Sequence, residues 1–273
     1  MTNKPFLLSY YWTGALLLGA LLFTSSCETN EGNTDTWNRS VMLSHWADEI
    51  ILPSWNEFNI NSSEAAHAAD TFAVKLDSTA FEILRSKYQS AYSSWQKVSL
   101  FEIGPGEQRN IRLRCNTYPT DTAVVKGSAE SFMVNSPPNL LLPSTFIQQG
   151  FPALDYLLFA KGSINKQLEY YNLHPEVVGY IQLLFSNIAA LGSDVYSDWT
   201  SGYKATFIEA DGSSATASVN KMANDFIFHY EKELRAGKVG IPAGIWSPSI
   251  LPQNLESVYN PEFSKELFQV SFN

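Results

Sequence analysis

Between Phe81 and Trp95, apolar residues recur three and four positions apart, at Phe81, Leu84, Tyr88, Ala91, Tyr92 and Trp95. That spacing puts them on one face of a helix and predicts an aromatic-rich core stripe. The same period at Val41, Leu43, Trp46 and Ile50 predicts a helix over 37–52. Pro53 is expected to end or kink it before it resumes toward Phe58. Asn61 followed by Glu64 reads as a capping pair at the next helix start. Val177, Tyr180, Leu183, Leu184, Ile188 and Leu191 give a helix over 176–199, and another spans 215–236 with Gly237 as its C-cap. No stretch alternates convincingly with a period of two. The pattern therefore predicts an all-α bundle held by amphipathic faces.

The breaks between these stripes carry the polar chemistry. In FEIGPGEQ, residues 101–108, two glycines flank Pro105 and interrupt any helix. A short helix over 107–115 would leave Arg109, Arg112 and Arg114 exposed. Residues 116–145 hold Pro119, Pro137, Pro138 and Pro143 and read as a long irregular loop, a candidate lid or cleft wall that includes Tyr118. It leads into QQGFPALDYLLFA, residues 148–160. There Pro152 suits a first helical turn, where no amide donor is needed, and Leu154, Leu157 and Leu158 form a buried face. Beyond Gly237 the prolines at 242, 248, 252 and 261 predict coil and short helices.

Composition narrows the class. Of 273 residues, 45% are apolar and 14% aromatic, enough for a sizeable core. The net charge of −9 lacks the basic footprint of a nucleic-acid binder. The apolar run from Tyr10 to Phe23, preceded by Lys4, is short for a bilayer span and reads as a signal peptide over 1–26. FTSSC then resembles a lipoprotein cleavage box, with Cys27 as the lipidated residue and 27–36 as a polar tether; Thr24 stands where leucine is usual. Lipid on Cys27 would leave Cys115 without a disulfide partner, and a lone thiol of this kind is most simply a buried core residue. The remaining domain would span 37–273.

Candidate chemistry is sparse. His45 with Asp48, and Asp225 with His229, share helix faces and could each offer two metal ligands, or serve structure alone. Asp155 could interact with free amides in the first turn of its helix or contribute to a site. Glu102 and Glu107 flank the Gly-Pro break. With Asp155 they could form an oxygen-rich cation site, or lie exposed as surface charges. No nucleophile elbow and no phosphate loop are present.

Four segments together resemble the imelysin family, also called peptidase M75: FEIGP at 101–105, NTYPTD at 116–121, GFPALDYLLF at 150–159 and ELRAGKVGIPAG at 233–244. The resemblance implies a two-lobed helical bundle in an exported or lipid-anchored bacterial protein associated with iron uptake. Peptidase activity has been attributed to some members, with the His and Glu of a GxHxxE motif suggested as metal ligands. Here Gly150 keeps the motif glycine, Pro152 stands where the family has His, and Asp155 where it has Glu. Proline offers no ligand, which removes one of the three protein ligands a zinc hydrolase needs. The chain is also shorter than the family's usual length, so a truncated second lobe is expected.

The resemblance and the residues together point to an outer-membrane lipoprotein that binds metal or a metal chelate in iron uptake without catalysis. Asp155 and Glu102 are its candidate ligands for iron or another divalent cation. The membrane, through the N-terminal lipid, and iron-uptake proteins of the envelope are its expected partners. A metal-dependent peptidase and a metal-free protein-binding module are the alternatives.

Overall fold

Four aromatic or apolar stripes meet at the centre of the molecule, which we describe from a computed structural model covering residues 37–273. The signal segment, Cys27 and the tether lie outside the described residues. The helices are α1 (Arg39–His45), α2 (Leu52–Lys75), α3 (Ser78–Val98), α4 (Pro105–Gln108), α5 (Ile111–Asn116), α6 (Thr122–Glu130) and α7 (Gly150–Phe159). They continue as α8 (Ile164–Leu173), α9 (Pro175–Asp198), α10 (Lys204–Glu209), α11 (Ser218–Phe228) and α12 (Pro261–Phe272). Widened π-helical segments occupy Trp46–Ile51, Trp199–Tyr203 and His229–Gly240. The protein is all-α, and no strand occurs among the described residues.

Residues 39–273 form one compact unit. Its spine is α2, which packs most extensively against α3 and α9. The stripe read from the sequence in α3 is fully buried, as are Trp55, Phe58 and Phe72 of α2 and Tyr180, Ile181 and Leu184 of α9. Phe151 at the start of α7 inserts into this centre. Its ring stacks on Tyr92 at 4.3 Å with the planes 5° apart, an arrangement worth about 0.5–1.5 kcal/mol beyond its buried area.

Several local expectations are corrected. Of the two expectations at Pro53, an end is overturned, while the resumption through Phe58 holds. The chain widens into a π-turn over Trp46–Ile51 and continues as α2, with proline in its first turn. A widened turn relieves the carbonyl clash that a proline ring makes in a regular helix. Asn61 and Glu64 lie inside α2 and cap nothing. The break comes instead at Leu76, in the left-handed region, and Asp77 caps α3 by accepting the Ala80 N–H at 2.8 Å. The 116–145 stretch contains a helix, α6, capped by Asp121 through two amides. The Pro-rich C-terminal stretch ends in α12, which packs on α3. No helix among the described residues is long and apolar enough to cross a membrane.

Candidate functional site

The Gly-Pro break fixes the first wall of the site. Gly104 has φ of 52°, and a Cβ there would fall 2.0 Å from the Tyr203 ring, so this turn admits no side chain. The turn places Glu102 just before α4 and brings α5 back across it. The Arg112 N–H of α5 donates to Glu102 Oε1 at 2.8 Å, and Arg112 Nη1 donates to Oε2 at 2.8 Å. Arg112 Nε and Nη2 donate to the Ser99 carbonyl, and Nη2 also reaches both oxygens of Asp225 at 3.0 Å. Asp225 in turn accepts the Glu102 N–H at 2.8 Å. Every guanidinium nitrogen of Arg112 therefore has a partner, with one Nη1 N–H left over. Burial raises the Glu102 and Asp225 carboxyls above their ordinary values despite the guanidinium between them.

The π-helix from His229 to Gly240 forms the opposite wall. Its hydrogen bonds close five residues apart, so positions four and five residues apart recur on one face. That register turns His229, Glu233 and Lys238 toward α3 and α5. His229 Nε2 shares a 2.9 Å hydrogen bond with Ser99 Oγ. Burial, then repulsion from Arg112 and Lys238, lowers the imidazole to about 4. Lys238 donates to Gln96 Oε1 at 2.8 Å and to Glu256 Oε2. Glu256 Oε1 accepts further hydrogen bonds from Tyr92, Gln96 and Asn116. Burial alone would raise Glu256, but Lys238 and these donors outweigh it and hold the carboxyl below its ordinary value. Glu233 differs. No hydrogen bond engages its carboxylate among the described residues, and burial holds it above its ordinary value.

Between the walls lies a cavity of about 340 Å³, lined among others by Glu102, Arg112, Tyr118, Phe228, Lys232 and Glu233. Tyr118 and Pro119 also line a second, smaller cavity of about 40 Å³, where Asp155 and Pro152 sit. The 116–121 segment thus walls both. The Tyr118 hydroxyl is buried without a hydrogen-bond partner.

Asp155 is the sixth residue of α7, beyond the free amides of the first turn. Its Oδ1 accepts from Ser257 Oγ at 2.8 Å and its Oδ2 from the Tyr259 N–H at 2.9 Å. The local structural role is therefore a tie to a loop a hundred residues away. Burial, against these two hydrogen bonds, pushes the carboxyl up to about 6. Gly150 opens α7 with φ of 76°, and a Cβ would lie 2.4 Å from the Cys115 carbonyl. The glycine lets α7 start directly on the C-terminal carbonyls of α5. Cys115 itself is buried, and burial raises its thiol pKa, so the thiol is protonated at neutral pH.

Other residues that the sequence grouped are engaged by different partners. Asp225 is taken by Arg112 and His229 by Ser99, while Asp48 pairs with Lys204 on the surface. Arg112 and Arg114 are buried, not exposed, and Arg109 pairs with Asp198 at 2.7 Å. Asp155 and Glu102 have no hydrogen-bond partner in common. Glu233 and Lys238 entered the sequence reading only as part of the 233–244 segment, and Glu256 not at all. The five-residue spacing from Glu233 to Lys238 fits a π-helix and not an α-helix. Glu256 was visible only as a lone charge between Pro252 and Pro261.

A resident metal does not fit the motif positions. Pro152 brings no donor, and both Asp155 oxygens are already engaged. Among the described residues no group of three His, Cys, Asp or Glu side chains could hold a metal ion. The model of the imelysin family, peptidase M75, matches residues 51–263. Two solved structures share the fold. One is described as an iron-regulated protein A precursor from Parabacteroides distasonis ATCC 8503; the TM-score is 0.67 at 17% identity, covering 86% of this chain and 71% of that one. The other is an imelysin-like protein from Psychrobacter arcticum 273-4; the TM-score is 0.65 at 16% identity, covering 86% and 72%. Comparison with curated proteins gives no significant match.

Proposed function

The chain belongs to the imelysin family, and from that premise we propose that it is a bacterial envelope lipoprotein that binds an iron-bearing cargo without catalysing a reaction. Lipid on Cys27 would anchor it to the outer membrane, beside iron-uptake proteins that hand over or receive the cargo. The observation that carries this reading is the pairing of a roomy, mixed-charge cavity with motif positions that lack a metal donor set. A bare ion needs several free ligands converging on one point. A preformed complex brings its own ligands and needs only a wall of matching shape and charge. The description of one structural relative as iron-regulated supports the choice of metal.

Titration calorimetry on the purified chain tests this, with ferrous iron, zinc, ferric citrate and a ferric trihydroxamate, beside Asp155→Ala. Saturable binding of the uncharged ferric trihydroxamate, with neither bare ion bound, is the expected result. Binding of a bare ion that Asp155→Ala abolishes would make Asp155 a ligand and reopen peptidase chemistry. No binding of any of the four would sink the iron reading.

A second reading, a protein-binding module, is favoured by one feature. An apolar groove of about 530 Å³ runs between Trp46 and Ile50 on one side and Met222, Phe226 and Ile227 on the other. Phe226 and Ile227 are each 58% exposed, and contiguous apolar surface of this kind marks interaction sites.

A further inference from the structure

We propose that the cavity between α5 and the π-helix binds the cationic end of a small alkylammonium or guanidinium compound, with Glu233 as its counter-ion. This goes beyond the iron cargo and requires no metal.

One carboxylate that lines the cavity lacks a hydrogen-bonding partner. Glu102 and Asp225 are neutralised in part by Arg112, and Glu256 by Lys238. Of the two carboxylates that line the cavity, Glu102 is paired with Arg112 and Glu233 is not. Glu233 is half-buried and without a hydrogen bond among the described residues, and Arg112, Lys238 and Lys232 act on it only through space. A carboxylate in that position gains when a cation that can donate hydrogen bonds reaches it, because its desolvation is then offset.

An anion fits poorly at the same place. Every guanidinium nitrogen of Arg112 is occupied by Ser99, Glu102 or Asp225. Lys238 is occupied by Gln96 and Glu256. Only Lys232, exposed at the rim, remains to meet a negative group. A bare metal ion would find one free carboxylate where it needs several. Leu113, Phe228 and Ile241 also line the cavity and are available to cover an alkyl body. Tyr118 lines the same cavity, with its hydroxyl buried and unpartnered.

Ligand-observed NMR titration of the metal-free chain tests this with three probes of one shape: butylammonium, 1-butanol and butyrate. Butylammonium should bind at least tenfold more tightly than butanol, and butyrate more weakly than either. Glu233→Gln should reduce butylammonium to the level of butanol while butanol itself is unchanged, which shows that the cavity persists. Lys232→Met, at an exposed position, should raise butylammonium affinity two- to threefold. Equal affinity for butylammonium and butanol in the unaltered chain, or a preference that survives Glu233→Gln, would overturn the proposal. So would the absence of butylammonium binding, or a loss of affinity in Lys232→Met. Because no probe carries iron, these outcomes are read separately from those of the ferric titrations.

Discussion

At the scale of single residues, three buried groups give the protein opposing responses to acid. The unfolded chain protonates histidine near 6.5, whereas His229 in the fold holds out to about 4. Between those values the unfolded state binds more protons, so the stabilising contribution is present above 6.5 and is lost as pH falls toward 4. The shift corresponds to on the order of 3 kcal/mol. Asp155 acts oppositely: raised to about 6, it takes up its proton earlier in the fold, so stability is gained as pH falls from 6 toward 4. Glu256 is lowered, so its contribution is lost in acid. His229→Gln keeps a hydrogen-bonding end for Ser99 and cannot protonate. Urea unfolding of this variant at pH 7, 5.5 and 4 should show a shallower loss on acidification than the unaltered chain. An equal slope would mean that His229 is not buried neutral. Gly150 makes a purely steric prediction. Alanine there meets both a left-handed φ and the Cys115 carbonyl, so Gly150→Ala should cost at least about 2 kcal/mol. An unchanged urea midpoint would mean that α7 does not start as described.

At the scale of elements, regular α-periods were legible and departures from them were not. The α3 stripe follows from spacing alone, because a buried face must repeat with the helix. The π-segments carry no such signature. Pro53 looks like a stop because the sequence does not reveal the widened turn that accommodates it. In the same way, Glu233 and Lys238 look like unrelated charges until the π register turns them to one side. The arginines of α5 were misplaced for another reason: a charged residue is exposed by default, and only the distant Asp225 and Asn187 show why Arg112 and Arg114 are buried. The motif glycine and the Asp155 position were readable locally, but the partners of Asp155 lie in a loop with no pattern of its own. The π-helix also carries an energetic prediction. Lys238 and Glu256 are both buried, so Lys238→Met leaves a buried carboxylate without its cation and should cost about 3–5 kcal/mol. Adding Glu256→Gln to that variant should recover part of the loss. If the double variant is no more stable than Lys238→Met, the cost lies in packing and not in the orphaned charge.

At the scale of the whole molecule, one short segment ties the late part of the chain to the early bundle. Glu256 reaches Tyr92 and Gln96 of α3 and Asn116 of α5. Its neighbours Ser257 and Tyr259 bind Asp155 of α7. Two residues further on, α12 begins and places Phe263 against Tyr88 and Tyr92. The segment is therefore held from two sides by carboxylates of opposite origin, one its own and one belonging to α7. It also lines the small cavity, where Leu255, Ser257, Val258 and Tyr259 face Pro152 and Tyr118. If the two ties hold one loop, losing the first frees it and leaves the second little to hold. Asp155→Ala and Glu256→Gln should then be sub-additive in urea unfolding, with a coupling of about 0.5–3 kcal/mol. Hydrogen exchange at the Tyr259 amide should accelerate in both single variants, including the one that leaves its own acceptor intact. Additivity of the two substitutions, or an unchanged Tyr259 amide in Glu256→Gln, would mean that each tie acts alone. Cooperative loss would make residues 256–259 the clasp between α12 and the bundle.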